Sequence, residues 1–364
     1  MMNRMLPRRA VAWAGAVLAL WLPLKAAQAA GERVEVVRIA TVAYPNEGRT
    51  AYNGAAAVIA GRGWLEKDLQ KLGIRLEWVP VPVQSVGASV NEAFANRSID
   101  FAAYGDLPSV ILNSNGVETR LIVPGGKGNN VYLVVPEGSA ATSIRDLKGK
   151  RIALHRGRPW EFSFTRLLEA NGLKLSDFKI ANLNPQAGAA ALAAGNVDAF
   201  VALSDAFLLA DRGLGRIIWS TKLPDQGWKM RAELWGAKDF VERHPEIAQV
   251  VANAYVRAAH WISRDENAAE FIRLSAASGH PESTLRQEYA DDSVGWKARW
   301  EPAFDAALAD HYRHVAGYAL DARLIRKAPD TDRLFDARFV RAALKELQLE
   351  SYWGAPPAAP RAGR

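Results

Sequence analysis

The sequence predicts an α/β protein of two similar lobes that face one another across a cleft. Three observations carry this. Short apolar runs alternate with helix-length segments along most of the 364 residues, the pattern of strands and helices around a largely parallel sheet. A break rich in glycine and asparagine, Pro124-Gly125-Gly126-Lys127-Gly128-Asn129-Asn130, interrupts that alternation and reads as a first crossing between lobes. Finally, Phe94-Ala95-Asn96-Arg97-Ser98-Ile99-Asp100-Phe101 is echoed, 98 residues on, by Leu192-Ala193-Ala194-Gly195-Asn196-Val197-Asp198-Ala199. Each copy has a helix end, a polar turn and a short strand whose second residue is Asp, and one copy falls in each lobe.

The N-terminus is set aside first. Arg4, Arg8 and Arg9 form a basic start, Ala10 to Leu24 is apolar, and Ala27-Gln28-Ala29 is an A-x-A cleavage site. As a helix the apolar run reaches only about 22 Å, short of the roughly 30 Å bilayer core, so residues 1–29 read as a cleavable signal peptide rather than an anchor. The expected mature chain has lobe 1 in 30–127 and 231–353, lobe 2 in 128–230, and a disordered Pro/Ala tail over 354–364.

Element by element, Val36–Val42 reads as a first strand ending in the polar loop Tyr44-Pro45-Asn46-Glu47-Gly48. A helix from Gly54, a Leu65/Leu69/Leu72 stripe and strand Ile74–Val79 follow. Next come a loop through Gln84, a helix from Ala88 to Asn96, strand Ile99–Ala103 and a helix opening at Pro108, capped by Asp106. Beyond strand Arg120–Val123 and the crossing, a second series runs through strands Val131–Val135, Arg151–Leu154, Val197–Ala202 and Arg216–Trp219. Its helices are Trp160–Asn171, Ala187–Ala194 and Asp205–Asp211. Met230–Trp235 is the expected return crossing, flanked by Trp228 and Trp235. Helices Ala237–Arg243, Pro245–Arg264, Glu266–Ala277 and Pro281–Trp300 come next, then less regular chain.

Composition narrows the function. There is no cysteine, hence no disulfide, thiolate metal site, thiol nucleophile or acylated N-terminal cysteine, which suits a bacterial periplasm. The formal charge is +7, but losing Arg4, Arg8, Arg9 and Lys25 leaves 42 basic against 39 acidic residues, a net +3. That is too mild for a nucleic-acid partner and compatible with capture of small anions. No nucleophile elbow, Walker loop or dinucleotide fingerprint occurs, so no cofactor is expected. His311 and His314, with Asp310 beside them, lack an evident third metal ligand.

The site reading rests on turns between strands and helices. Gly105-Asp106-Leu107-Pro108 turns from a strand into a helix, an arrangement that aims backbone N–H groups at one point and suits an anion. Arg158 offers a planar fork for a sulfonate, sulfate ester or carboxylate. Trp160 and Tyr44 are candidate cleft walls. Asp106 and Asp205 read chiefly as helix caps.

These residues carry a resemblance. Trp64-Leu65-Glu66-Lys67, Ser98-Ile99-Asp100-Phe101, Gly105-Asp106-Leu107-Pro108, Asp146-Leu147-Lys148-Gly149-Lys150-Arg151-Ile152-Ala153, Gly195-Asn196-Val197-Asp198-Ala199 and Phe240-Val241-Glu242-Arg243-His244-Pro245-Glu246 occur in the order and spacing of one family. From about Ile39 to Asp336 the chain resembles the periplasmic sulfonate-, taurine- and nitrate-type substrate-binding proteins of ABC importers. The resemblance implies a type II periplasmic-binding-protein fold, two α/β lobes with the ligand enclosed between them and two hinge crossings. It implies a binding protein rather than an enzyme, acting as a monomer, with a small organic anion, most of all an alkanesulfonate, as ligand. An inner-membrane permease and ATPase would be its partners.

The resemblance puts Tyr44, Gly87, Ala88, Ser89, Gly105, Asp106, Leu107 and Gly157 at ligand-binding positions, and the residues themselves add Asn46, Arg158, Trp160 and Asp205 as candidates. Gly87-Ala88-Ser89 stands where the family has Gly-Pro-Gln, and Leu107 where it has a hydroxyl-bearing Thr. Gly157-Arg158-Pro159 replaces Gly-Ser-Ser, exchanging two hydroxyls for a guanidinium, and Leu203-Ser204-Asp205-Ala206 lacks an expected tryptophan. The alternatives are an enzyme on the same fold, a desulfinating hydrolase or a thiamine-pyrimidine synthase, and a sensor-type binding protein. The hydrolase branch uses a cysteine nucleophile, which this chain lacks.

Overall fold

The computed structural model describes residues 33–222 and 227–354, and two sheets organise them. The expected signal peptide, and all but the first residue of the expected tail, lie outside the described residues. The strands are β1 (Val36–Asn46), β2 (Arg49–Ala51), β3 (Arg75–Pro82), β4 (Phe101–Gly105), β5 (Thr119–Val123), β6 (Tyr132–Val135), β7 (Arg151–Ala153), β8 (Lys179–Ala181), β9 (Ala199–Ala202), β10 (Arg216–Ser220) and β11 (Ala232–Ala237). The first sheet runs β3–β1–β4–β11–β5, with β2 folded back on the end of β1; the second runs β8–β7–β9–β6–β10.

The two orders are the same order. In each sheet three strands are mutually parallel (β3, β1, β4 and β8, β7, β9), and the fourth runs antiparallel to its neighbours on both sides. That antiparallel strand, β11 or β6, is the one the chain enters immediately after passing between the sheets. The expected largely parallel sheet is therefore interrupted once in each lobe. The two passing segments pair with each other: Asn129 N–H donates to the Met230 carbonyl at 2.8 Å and Met230 N–H to the Asn129 carbonyl at 3.1 Å.

The sequence echo has a physical basis at this level. Helices Val86–Ala95 and Pro185–Ala193 are each followed, one residue past the C-cap, by a residue in the left-handed region, Arg97 (φ 60°) and Gly195 (φ 70°). Ser98 N–H then closes on Ala93 at 2.9 Å, and Asn196 N–H on Ala191 at 2.8 Å. The conserved-looking geometry continues into the strands. Asp100 accepts from Arg38 N–H at 2.8 Å, and Asp198 accepts from Arg151 N–H at 2.7 Å. Each carboxylate thus ties its strand to the parallel neighbour before the regular ladder begins.

Several elements differ from expectation for identifiable reasons. The polar loop after β1 is a hairpin: the strand continues through Tyr44 to Asn46, and Glu47-Gly48, both at positive φ, make the tight turn to β2. β8 is three residues of mixed exposure, too short to show a period. The return crossing is largely strand, since β11 begins at Ala232. Trp235 packs against Tyr104 and Tyr312 in the first core instead of flanking a hinge.

The single helix expected over Pro281–Trp300 is two, Glu282–Tyr289 and Trp296–Arg299. Between them Asp291 is left-handed and Asp292 turns inward to an ion cluster. The less regular C-terminal chain contains helices Ala306–Asp321 and Arg338–Glu346. The first is capped by Asp305 and buries Leu308, His311, Tyr312, Val315 and Ala319 on one face.

One large core cluster lies on the first sheet and includes Leu107, Val110, Trp235 and Tyr312; two lie on the faces of the second. Phe162 belongs to the helix Pro159–Ala170, which follows β7, yet its side chain joins the first cluster, 5.4 Å from the His311 ring. Burying a phenylalanine this fully is worth about 1.5–3 kcal/mol, so this contact helps hold the two sheets' surroundings together.

Candidate functional site

The C-terminal ends of the parallel strands in both sheets open onto one cavity of about 1230 Å³. The segments that wall it touch. A Cβ added to Gly105 would lie 2.2 Å from Pro159, so the turn after β4 rests on the turn after β7. Gln84, in the loop after edge strand β3, and Gln186, in the first turn of the helix that follows edge strand β8, are hydrogen-bonded at 3.2 Å. On the far side Tyr318 donates to Glu161 at 2.6 Å.

Arg158 decides the electrostatics. It precedes the helix Pro159–Ala170, is 5% exposed and lines the cavity. Its guanidinium donates to the Val83 carbonyl at 3.3 Å, lies 5.2 Å from the Trp160 ring, and leaves Nε without a partner. Among the described residues it forms no ion pair, and burial pulls its pKa down to about 10. Arg231 is the contrast: it too is buried and lines the cavity, but it is paired with Glu233 at 2.6 Å and also donates to the Gly126 carbonyl. A buried cation without a carboxylate is unfavourable unless something else supplies the negative charge. Burial, followed by the Arg158 charge, also lowers the pKa of His155, 6.0 Å from the Trp160 ring.

Tyr44, at the end of β1, faces this side of the cavity from the other sheet. Its hydroxyl accepts from Asn53 at 3.3 Å; burial and then the Asp205 charge push its pKa up to about 12. His280 stands edge-on to Tyr44 at 6.2 Å, with Nε2 3.5 Å from the Asp205 carboxylate.

The structure thus brings Tyr44, Gly105, Arg158, Trp160 and Asp205 together on the cavity wall. Gly87 lies immediately behind it, where a Cβ would come within 3.2 Å of both Arg158 Nη1 and Pro108. Asn46 is exposed on the hairpin, Ala88 is exposed, and Ser89 donates to the Ser85 hydroxyl; none of the three lines the cavity.

Asp106 and Leu107 are fully buried behind the wall. The Asp106 carboxylate accepts from Leu107 N–H (2.6 Å), Arg231 N–H (3.0 Å) and His311 Nε2 (2.6 Å), and its own N–H donates to the Arg231 carbonyl. The backbone donors expected to meet an anion at this turn are therefore already occupied. His311 is held by Asp106, while Asp310 pairs with Arg313; among the described residues no three His, Cys, Asp or Glu side chains gather as metal ligands.

Gly157 also lies off the cavity wall, with φ 70° that favours glycine. Its N–H donates to Glu161, whose fully buried carboxylate also takes Arg156 and Tyr318.

The profile of the NMT1/THI5 like family matches residues 70–269, more than half of the chain. The chain belongs to this family. Within the NMT1/THI5-like proteins, it is 48% identical to SsuA of Methylobacillus flagellatus KT, described as a periplasmic sulfonate-binding protein, with 90% of this chain and 99% of that one covered and a TM-score of 0.82. It is 28% identical over 209 residues to the taurine-binding periplasmic protein of Escherichia coli K12; that match covers 55% of this chain and spans 63% of the relative, less than two thirds of its length. The periplasmic aliphatic sulphonate binding protein SsuA of Escherichia coli shares the fold, with a TM-score of 0.67, 22% identity, and 82% and 91% of the two chains covered.

Residues that sequence reasoning missed are the Gln84–Gln186 contact, the Val83 carbonyl, the Arg231–Glu233 pair and His280. None lies in a local pattern that marks it; each gains its role from a partner distant in the chain.

Proposed function

We propose that this chain is the periplasmic solute-binding protein of an ABC importer, capturing an organosulfonate between two lobes and passing it to a membrane permease and its ATPase. The observation that carries the reading is the buried, unpaired Arg158 guanidinium on the wall of an interlobe cavity. An anion placed there supplies the missing countercharge through charge-assisted hydrogen bonds, each worth about 1.5–3 kcal/mol gross. After ordering costs, an affinity near micromolar, about −8 kcal/mol, is expected. The sulfonate group is favoured over other anions because the similar SsuA and taurine-binding chains are sulfonate- and taurine-binding proteins.

Lobe 1 comprises residues 30–127 and 231–353, and lobe 2 residues 128–230. The membership of the two sheets and the Asn129–Met230 pairing at the crossings support that division. Residues 1–29 act as the signal for export to the periplasm, and the protein works as a monomer. Ligand holds the lobes together, and the permease reads that closed state.

Calorimetry on the mature protein with alkanesulfonates, aryl sulfonates, taurine, sulfate esters, nitrate and bicarbonate tests this. Micromolar binding of sulfonates without chemical change is the expected result. Release of sulfite or sulfate on incubation, or no binding of any sulfonate, overturns it.

A further inference from the structure

We infer that the ligand is an aromatic sulfonate with a multi-ring body, its anionic group on Arg158 and its rings in a side chamber of the same cavity. This rests on the function proposed above and names the substrate class. The chamber lies among the helices Gly54–Arg62, Pro245–Ser263, Ala268–Ala276 and Glu282–Tyr289, and is walled by Tyr255, Ala259, Ile262, Leu285, Tyr289 and Trp300.

Size is the first argument. Sites for drug-sized ligands occupy roughly 300–1,000 Å³, and this cavity holds about 1230 Å³. Separation of the lobes does not explain that volume, because they already touch at Gly105–Pro159, Gln84–Gln186 and Tyr318–Glu161. A molecule the size of taurine would leave most of the space to water against apolar walls.

Charge is the second argument. Glu288, at the chamber's edge, is already satisfied by Tyr132 (2.6 Å), Asn130 (3.0 Å) and Arg299 (3.4 Å), and Arg231 by Glu233. Among the described residues the chamber wall therefore offers no unpaired charge to a second ionic group, while Arg158 offers one to the first. Its aromatic walls suit rings, which pack edge-on or offset against Tyr and Trp. The buried Tyr255 hydroxyl, Ser275 hydroxyl and Trp300 indole N–H have no partner among the described residues. A hydroxyl or carbonyl on the ligand's rings is the group that would pair with them.

The test is calorimetry of the mature protein with propanesulfonate, taurine, benzenesulfonate, naphthalenesulfonate and hydroxynaphthalenesulfonate. Naphthalenesulfonate is expected to bind about 50-fold tighter than propanesulfonate, the equivalent of burying roughly 100 Å² more apolar surface. Ala259→Phe, which fills the chamber, is expected to cut the naphthalenesulfonate-to-propanesulfonate affinity ratio by at least about 10-fold. If that variant does not fold, Ala55→Phe on the facing helix reads the same ratio. Equal affinity for both ligands, tighter binding of taurine, or an unchanged ratio in a folded variant overturns the inference and leaves the transport reading standing. Loss of every sulfonate overturns both.

Discussion

Replacing Arg158 by methionine should move stability and binding in opposite directions. Arg158 is 5% exposed, and among the described residues its guanidinium has one hydrogen bond, a 3.3 Å contact to the Val83 carbonyl, and no carboxylate paired with it. Burial brings its pKa from the ordinary 12.5 to about 10. The folded chain therefore holds that proton less tightly than the unfolded chain, and the charge opposes folding at every pH below about 10. At 1.36 kcal/mol per unit the cost is about 3 kcal/mol. Methionine keeps most of the stem's volume and removes the charge, giving up the guanidinium–Trp160 contact, so unfolding free energy without ligand should rise by about 1–3 kcal/mol. Sulfonate affinity should fall by about 100-fold or more, as two charge-assisted hydrogen bonds are lost. Urea denaturation of the ligand-free proteins reads the first effect and calorimetry the second. A methionine variant less stable than the parent, or one retaining sulfonate affinity, refutes the assignment of Arg158 as an anion receptor awaiting its partner.

Three further outcomes are expected from the same structure. Gly105 has an alanine-compatible backbone (φ −74°, ψ 160°), so Gly105→Ala acts through the 2.2 Å clash with Pro159 and should hold the lobes apart. Ligand affinity is expected to drop about 10-fold, with small-angle scattering showing a larger particle; a compact variant with full affinity contradicts this. Asp106→Ala leaves Leu107 N–H, Arg231 N–H and His311 without their acceptor and should cost about 3–5 kcal/mol in a urea titration. Asp292 concerns pH. Burial raises its carboxyl, but Lys229 at 2.9 Å, the Val294 N–H, Asn130 and Arg299 together outweigh that and hold it at about 2, below its ordinary 3.8. Its contribution, about 2 kcal/mol, is present above pH 3.8 and is lost as pH falls through about 2. In Asp292→Asn that acid-dependent step should disappear from the stability profile.

How much of this was legible in the chain depends on how local each interaction is. The echo around Asp100 and Asp198 was visible because every part of it, helix end, left-handed turn and strand-linking carboxylate, lies within eight consecutive residues. The helix Ala306–Asp321 is equally local, since its cap Asp305 and its buried stripe lie within one stretch of sequence. Arg158 could be picked out because a turn opening a helix is a local feature and arginine a distinctive side chain. Asp106 could not be placed. Its inward rotation is fixed by Arg231 and His311, 125 and 205 residues further on, and that rotation closes the backbone donors a turn of this kind usually offers. The break in the helix expected over Pro281–Trp300 has the same origin, a carboxylate drawn to cations on other segments.

The matching strand orders explain how a duplicated framework yields an asymmetric site. β1 corresponds to β7, so the Tyr44 hairpin and the Arg158 turn occupy equivalent places in the two lobes. β3 corresponds to β8, so Gln84 and Gln186, from the segments that follow those strands, meet across the cleft. β4 corresponds to β9, which sets Asp106 against Asp205. At each pair except the glutamines the two lobes have diverged. One lobe supplies a guanidinium and the other a phenol; one aspartate is sealed inside by histidine, and the other stays on the wall beside His280. A cleft with cations on both sides would accept an anion in either direction. Among the described residues that line the cavity, Arg158 is the buried cation without an ion pair, while Arg49 on the β1–β2 hairpin is exposed; with aromatic walls leading away into lobe 1, an organic anion has one favoured orientation, charge toward the second lobe and body toward the first.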